Sequence, residues 1–149
     1  MEDCLACDLI EGRRTLPGGR IAETAAWIVE HCIGPLGVGT LLVKPKRHVT
    51  RVAALSASET AELGPLLQRA AAVVDELVDP EQVYVCLWSH AGRTPVHIHY
   101  VVQPATTELI DEHGACGPGL QVAMFQAGVG PAEADVSAFA ERAKALFDR

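Results

Sequence analysis

The sequence predicts an α+β domain, on three observations. Short runs rich in β-branched and aromatic residues, separated by Gly and Pro, are typical of strands and occur mainly in the first two-thirds of the chain. A long central stretch has apolar residues at helical spacing, and a second such stretch ends the chain. With 149 residues and 49% hydrophobic content, the chain can bury a substantial core, so residues 1–149 are predicted to form one domain.

The first third of the chain predicts a short helix and three strands. Residues 4–12 form a knuckle leading into the short helix, and a Gly/Pro turn follows. Residues 21–25 and 26–31 are predicted as two strands of a meander, and residues 41–44 as the next strand. Residues 34–39 are Gly-rich without the spacing of a P-loop. This segment is either a loop that lets a ligand approach the backbone or a plain connecting turn.

A long amphipathic helix is predicted in the middle of the chain. Ser56 or Ser58 fits its N-cap, because a hydroxyl there accepts a hydrogen bond from the first turn. Apolar residues continue at helical spacing to about residue 78, and Asp79-Pro80 ends the helix. Its apolar stripe is expected to pack on the sheet.

A hairpin and a divergent tail complete the prediction. Residues 83–87 and 96–102 are predicted as neighbouring strands, and the hairpin between them carries residues 89–94. The tail, about residues 106–149, begins with a Gly-rich stretch and an apolar patch attributed to the core or to a dimer contact. It ends in an amphipathic helix over residues 136–147.

Two histidines in the second hairpin strand are the most informative residues. His97 and His99 are separated by one residue, so on a strand their side chains project from the same face. Burying two imidazoles on an apolar strand is costly unless each has a partner. The pair is therefore either two satisfied structural histidines or part of a metal, phosphate or catalytic site.

A second group of residues predicts a metal site. Cys4 and Cys7 form a C-x-x-C pair near the start of the sequence, and His48 follows a predicted strand. Two thiolates and two imidazoles are a standard tetrahedral zinc set, so we predict a zinc ion on Cys4, Cys7, His48 and His97. Four protein ligands leave no open position for substrate, so the predicted role of the zinc is structural. The alternative is two reduced, partly buried cysteines with ordinary histidines.

In order and spacing, these motifs resemble the histidine triad superfamily. The resemblance is carried by Cys4 and Cys7, by residues 39–49 and by residues 92–99, so it covers about the first two-thirds of the chain. It implies an antiparallel sheet within the α+β fold, a homodimer, and action on the phosphorus bonds of nucleotides. Zinc-containing members of the family place the metal at the four positions predicted above.

The resemblance also assigns a nucleophile. The middle histidine of the triad corresponds to His99, and a neutral imidazole both attacks phosphorus and leaves from it readily near pH 7. One ring nitrogen must be free, and in this family the other nitrogen is oriented by a backbone carbonyl. Arg93 and Thr94 fall at positions where the family often has phosphate contacts, and a guanidinium can bind phosphate through two hydrogen bonds.

Several positions depart from the family pattern. The third triad histidine is replaced by Val101, and a further histidine is replaced by Thr40, which we keep as a candidate substrate contact. His90, in the turn before the H-x-H strand, is either a surrogate acid or an exposed loop histidine. The acidic residue that contacts a ribose in the family falls at Cys32, unless a longer loop brings Glu30 into that place.

Composition limits the partners that we expect. The net charge of −7 argues against a nucleic-acid surface, but a local basic cluster suffices for a small phosphorylated ligand. No apolar stretch reaches the length of a membrane span, and no apolar segment follows the acidic start. Five cysteines fit a reducing cytoplasm better than a disulfide framework.

Three functions follow as hypotheses. The leading one is a hydrolase that cleaves a phosphoramidate or phosphoanhydride bond of a nucleotide, or of another small phosphorylated compound, through a covalent intermediate on His99. The second is a nucleotide-binding module whose catalysis is impaired by Thr40 and Val101. The third is a nucleotidyltransferase in a small-molecule pathway.

Overall fold

The computed structural model describes residues 4–90, 92 and 96–149. In this part of the chain the five α-helices are α1 (Leu5–Ile10), α2 (Ala57–Val78), α3 (Thr107–His113), α4 (Pro118–Ala127) and α5 (Glu133–Phe147). The five strands are β1 (Arg20–Glu23), β2 (Trp27–His31), β3 (Leu41–Pro45), β4 (Gln82–Cys86) and β5 (Tyr100–Ala105). Within the described residues, no helix combines the length and apolar character needed to cross a bilayer.

The strands form one antiparallel sheet in the order β1-β2-β3-β5-β4. In the register between β3 and β5, Val43 lies opposite Tyr100, and in that between β4 and β5, Cys86 lies opposite Val101. Helix α2 connects β3 to β4 along the chain. In the sheet, β5 lies between these two strands. The predicted α+β class, with an antiparallel sheet, one long helix and a C-terminal helix, is confirmed.

Each face of the sheet is covered by helices. On the first face, strand residues such as Trp27 and Val102 pack with α2 and α5 in the larger apolar cluster. On the second face, Val101 packs with Leu120 and Met124 of α4. Successive strand residues point to opposite faces, which is why adjacent Val101 and Val102 belong to different clusters. The predicted tail therefore contributes to both faces, α5 to the first and α4 to the second.

Helix α2 begins and ends where local signals predict. Ser56 is the N-cap, and its hydroxyl accepts the N–H of Glu59 while the Glu59 carboxylate accepts the N–H of Ser56, which completes a capping box. Ser58, the alternative cap, lies inside the helix. At the other end Asp79 is left-handed, with φ 52°, and Pro80 follows.

The Glu59 carboxylate also pairs with Arg47, and this pairing makes stability depend on pH. Hydrogen bonds from Arg47 and then from the Ser56 N–H lower the pKa of Glu59 from 4.5 to about 2. The Glu59 side chain is 8% exposed but that of Arg47 is 53% exposed, so solvent screens part of this interaction. Because the charged form is favoured in the folded chain, its stabilisation is complete above about pH 4.5 and is lost as the pH falls toward 2.

As the pH falls from about 5 to 2, we expect the free energy of unfolding of Glu59→Gln to decrease less than that of wild type. Urea unfolding at several pH values measures this slope. Glu76→Gln is the matched control, because Glu76 forms only an exposed ion pair with Arg149 and should follow wild type. Parallel curves for Glu59→Gln and wild type would contradict the expectation.

The last strand begins later than the sequence predicts. Residues 96–99 precede β5, which runs from Tyr100 to Ala105, so the H-x-H motif lies just before the strand. The N–H of Ile98 donates to the carbonyl of Val49 at 2.8 Å, and Val49 lies beyond the end of β3. Composition predicted a strand here, but the partner of this backbone is a loop.

The Gly-rich loop ends in close packing against the first-face core. Gly39 has φ +95°, and a Cβ there would lie 2.9 Å from Cγ2 of Val78. Its N–H donates to Nε2 of the buried His31 at 2.8 Å, and burial lowers the pKa of that imidazole. These contacts at Gly39 favour the interpretation of the loop as a connecting turn.

Candidate functional site

The N-terminal cysteines are brought together by a short helix. Cys4 is the N-cap of α1 and Cys7 lies in its first turn, where residues three apart share a face. Cys7 is 8% exposed and Cys4 is half-buried. The local helix therefore presents both sulfurs toward the rest of the domain.

Two histidines from distant segments complete a four-residue cluster. The ligand atoms of Cys4, Cys7, His48 and His97 all lie within 4.8 Å of one another. Nδ1 of His48 is 3.3 Å from Sγ of Cys7, and Nδ1 of His97 is 3.6 Å from the same sulfur. A tetrahedral zinc ion with ordinary bond lengths separates its sulfur and nitrogen ligands by about 3.6 Å. The geometry of the cluster is therefore compatible with zinc.

The hydrogen bond of His97 fixes which of its nitrogens faces the cluster. Its Nε2 lies 2.8 Å from the carbonyl oxygen of Pro45, so Nε2 carries the proton and donates. Nδ1 then has its lone pair directed toward the cysteines, at 3.8 Å from Sγ of Cys4. A backbone acceptor behind a metal-binding histidine is a common orienting arrangement.

Burial affects the cysteines and the histidines of the cluster in opposite ways with respect to metal binding. Burial raises the pKa of the Cys7 thiol, with a smaller contribution from the neighbouring Cys4 thiol. Burial also lowers the pKa of His97, which favours the neutral imidazole that metals bind. A divalent cation at this place would stabilise the thiolates that burial disfavours.

His99 lies two residues after His97 in a different environment. Its imidazole is half-buried, whereas that of His97 is only 2% exposed. Nδ1 of His99 is 3.1 Å from the carbonyl oxygen of His97, which assigns the proton to Nδ1. Nε2 then carries the lone pair, so the ring is held in the tautomer that a nucleophile requires.

A buried ion pair joins β2 and β3 on the second face of the sheet. Nζ of Lys44 is 2.5 Å from Oε2 of Glu30, and the two side chains are only 3% and 5% exposed. Lys44 shares its face with Leu42, which packs against the second apolar cluster. The last pair of the β3–β5 ladder is Val43 with Tyr100, so Lys44 follows this pair in one segment and His99 precedes it in the other.

This ion pair was not predicted from the sequence, and it corrects the interpretation of Glu30. Glu30 sits in β2 opposite Leu42 and is bound to Lys44, so no longer loop brings it to a ribose site. Cys32 is buried in the second apolar cluster. One signal for the pair was present in the sequence. A glutamate and a lysine stand at interior positions of two neighbouring apolar strands.

We expect Glu30→Leu to destabilise the fold by about 3–5 kcal/mol, because it leaves the Lys44 ammonium buried without its partner. The double variant Glu30→Leu with Lys44→Met should recover most of that loss, since neither charge remains to be buried. Urea unfolding of wild type, both single variants and the double variant measures the coupling. Additive effects of the two substitutions would contradict it.

The other predicted site residues are placed as follows. Thr40 is fully buried, and its hydroxyl donates to the carbonyl oxygen of Leu36 at 2.8 Å, which argues against direct contact with a substrate. His90 is exposed in the turn after Ser89. Arg93 and Thr94 lie outside the described residues.

Val101 occupies the place of the third triad histidine within an apolar environment. Its side chain is 6% exposed and packs in the second cluster with Leu120 and Met124. An imidazole here would need a polar partner among apolar side chains. The apolar side chains around position 101 therefore suit valine better than histidine.

A hydrogen-bonded chain on the same face also escaped prediction. The indole N–H of Trp88 donates to Oε1 of Gln121 at 2.8 Å, and Nε2 of Gln121 donates to Oε1 of Gln103 at 2.9 Å. The glutamines come from α4 and β5, so the network links the tail to the sheet. No local pattern connects these positions, which are separated by up to 33 residues.

Comparison with known proteins gives one curated relative and several structures of the same fold. No family model matches the sequence. The adenosine 5'-monophosphoramidase hnt1 of Schizosaccharomyces pombe is 29% identical over 105 residues, which cover 68% of this chain and 74% of that protein.

Two solved structures show how far the likeness of the fold extends. A HIT-like protein involved in cell-cycle regulation from Bartonella henselae superposes with a TM-score of 0.75 at 16% identity, over 98% of this chain and 97% of that one. A zinc-bound histidine triad family protein from Mycobacterium smegmatis superposes with a TM-score of 0.62 at 23% identity, over 84% of this chain and 95% of that one. The first likeness spans the tail as well as the sheet.

Proposed function

Because this chain belongs to the histidine triad superfamily, we propose that it hydrolyses a phosphoramidate or phosphoanhydride bond of a nucleotide through a covalent intermediate on His99. The observation that carries the proposal is the orientation of the His99 ring, whose Nδ1 is bound to the His97 carbonyl at 3.1 Å. The similarity to a relative named as an adenosine 5'-monophosphoramidase supports this substrate class.

The reaction has two displacements at phosphorus. In the first, the lone pair on Nε2 of His99 forms a bond to phosphorus, and the bond from phosphorus to the amine or phosphate leaving group breaks. In the second, water attacks phosphorus, the bond to Nε2 breaks, and a nucleoside monophosphate is released with the neutral imidazole restored. A leaving amine takes up a proton as the first bond breaks, and water loses one in the second step.

Other residues are proposed in supporting roles. Arg93 and Thr94, at positions implied by the family resemblance, are proposed to bind the phosphate and stabilise its charge in the transition state. His90, exposed in the same part of the chain, is proposed as the proton donor to the leaving group. Substitutions of these residues can be distinguished from those of His99, because none of the three side chains forms a bond to phosphorus.

We also propose that Cys4, Cys7, His48 and His97 hold a structural zinc ion. Bound zinc supplies a crosslink between α1, the segment after β3 and the segment before β5. Because His97 is two residues from His99 and its carbonyl orients the His99 ring, the same crosslink positions the nucleophile. The zinc-bound structure from Mycobacterium smegmatis supports the choice of metal.

Intact-protein mass spectrometry tests the enzyme proposal. The purified chain is incubated with adenosine 5'-phosphoramidate and with a dinucleoside polyphosphate, then denatured and weighed, while released AMP is quantified. We expect a nucleotidyl adduct and accumulation of AMP. Native spectra of the same sample report bound zinc and the homodimer that the resemblance implies.

Binding without turnover is a second candidate function, and one observation favours it. Val101 replaces an active-site histidine of the family and is packed in an apolar cluster. Nucleotide binding with neither adduct nor product would support this candidate. Formation of the adduct with transfer to a nucleophile other than water would instead identify a nucleotidyltransferase.

A further inference from the structure

Trp88 is an exposed indole in a chain that buries its other tryptophan. Its side chain is 58% exposed, whereas Trp27 is fully buried in the core of the first face. An exposed aromatic ring leaves a large apolar surface in water, which is unfavourable unless another group covers it. Trp88 lies eleven residues before His99, in the segment that joins β4 to the H-x-H motif.

The ring of Trp88 is held in one orientation by buried groups. Its Nε1 donates to Gln121 at 2.8 Å, and Gln121 is only 6% exposed. Gln121 in turn donates to Gln103, which is fully buried and also donates to the carbonyl of Leu36 at 3.3 Å. Because each amide is engaged, the network fixes the indole before any ligand arrives, and less conformational entropy is lost on binding.

The ladder between β4 and β5 leads to Trp88 in one segment and to His99 in the other. The last pair of the ladder between β4 and β5 is Cys86 with Val101, and both pack in the second apolar cluster. Trp88 is two residues after Cys86, and His99 is two residues before Val101. The two segments still run side by side beyond this pair, because the N–H of Val96 donates to the carbonyl of Ser89 at 3.2 Å.

We propose that Trp88 is a specificity-determining residue that stacks on an aromatic ring of the substrate, the nucleobase of a nucleotide. The inference rests on the proposed function, because it supposes that a nucleotide places its phosphorus at His99. An oriented indole in the segment that leads to His99 offers a flat π surface, and stacking on it accepts any base. The ring thus selects for substrates that carry a base and has no contact with the reacting phosphorus.

Calorimetric titration of the full chain with AMP and with ribose 5-phosphate tests the proposal. We expect Trp88→Ala to weaken AMP binding by about 5- to 150-fold and to leave the affinity for ribose 5-phosphate unchanged. Phe125→Ala is the matched control, because Phe125 is an aromatic residue of similar exposure, 57%, on α4. Its affinity for AMP should equal that of wild type.

Fluorescence provides a measurement that does not require removal of the aromatic ring. AMP should quench the emission of wild type, because one of its two tryptophans stacks on the base. Trp88→Phe retains an aromatic ring and leaves the buried Trp27 as the sole tryptophan. AMP should therefore leave the tryptophan emission of this variant unchanged. Equal quenching in wild type and in Trp88→Phe would overturn the proposal.

The remaining outcomes separate this proposal from the proposed function. Wild-type affinity of Trp88→Ala for AMP, or an equal loss for AMP and ribose 5-phosphate, would overturn stacking while nucleotide binding stands. An equal loss in Phe125→Ala would overturn the specific role of Trp88. A change in oligomeric mass on size-exclusion chromatography with unchanged AMP affinity would assign the indole to an interface instead. Failure of wild type to bind either compound would overturn the proposed function, and this inference with it.

Discussion

Replacing His99 with alanine is expected to reduce hydrolysis of adenosine 5'-phosphoramidate by about 10³-fold or more, because the variant has no group to form the covalent intermediate. The nucleotidyl adduct should disappear from the mass spectrum together with turnover. Bound zinc and stability should stay near wild type, because the His99 side chain lies outside the four-residue ligand cluster. Steady-state kinetics, metal analysis and urea unfolding of the same preparation measure all three.

A matched histidine distinguishes the nucleophile from a general effect of removing an imidazole. His113 ends α3 and lies outside the proposed site, so His113→Ala should retain wild-type kcat/KM. His90→Ala, which removes the proposed proton donor to the leaving group, should lower turnover by slowing formation of the adduct without abolishing it. Wild-type turnover in His99→Ala would exclude the covalent mechanism, whatever the behaviour of the other variants.

Replacing Cys4 with serine is expected to release the zinc and to lower the stability of the domain. A ligand present at 100 times its dissociation constant stabilises the folded state by about 2.7 kcal/mol, so loss of a tightly bound ion should cost at least that much. The four residues of the cluster come from three separate segments, so an ion bound by all four would crosslink those segments. Turnover should fall as well, because the carbonyl of His97 orients the His99 ring.

Cys116 provides the matched control for this substitution. It is an exposed cysteine outside the ligand cluster, so Cys116→Ser should retain both metal and stability. Removal of metal from wild type with a chelator should reproduce the lower melting temperature of Cys4→Ser and leave that variant unaffected. Metal analysis that finds wild-type zinc content in Cys4→Ser would remove Cys4 from the site.

Local sequence signals determined the boundaries of α2 best, whereas α3 and α4 were not predicted. The capping residues and Asp79-Pro80 act within one or two turns, so the bounds of α2 follow from contacts between sequence neighbours. The strands were predicted to within a few residues from their β-branched and aromatic composition. The start of β5 was wrong, because strand pairing is decided by the backbone of Val49 and not by the composition of residues 96–99.

The residues of the site divide in the same way. The sequence by itself identified the candidate site residues, since His99 and the four residues of the cysteine and histidine cluster stand at spacings that resemble those of a family. Only the tertiary structure decided what surrounds them. The pairing of Glu30 with Lys44 and the bond from Trp88 to Gln121 depend on strand register and on the packing of α4. Such contacts join residues far apart in the chain, and no local periodicity encodes them.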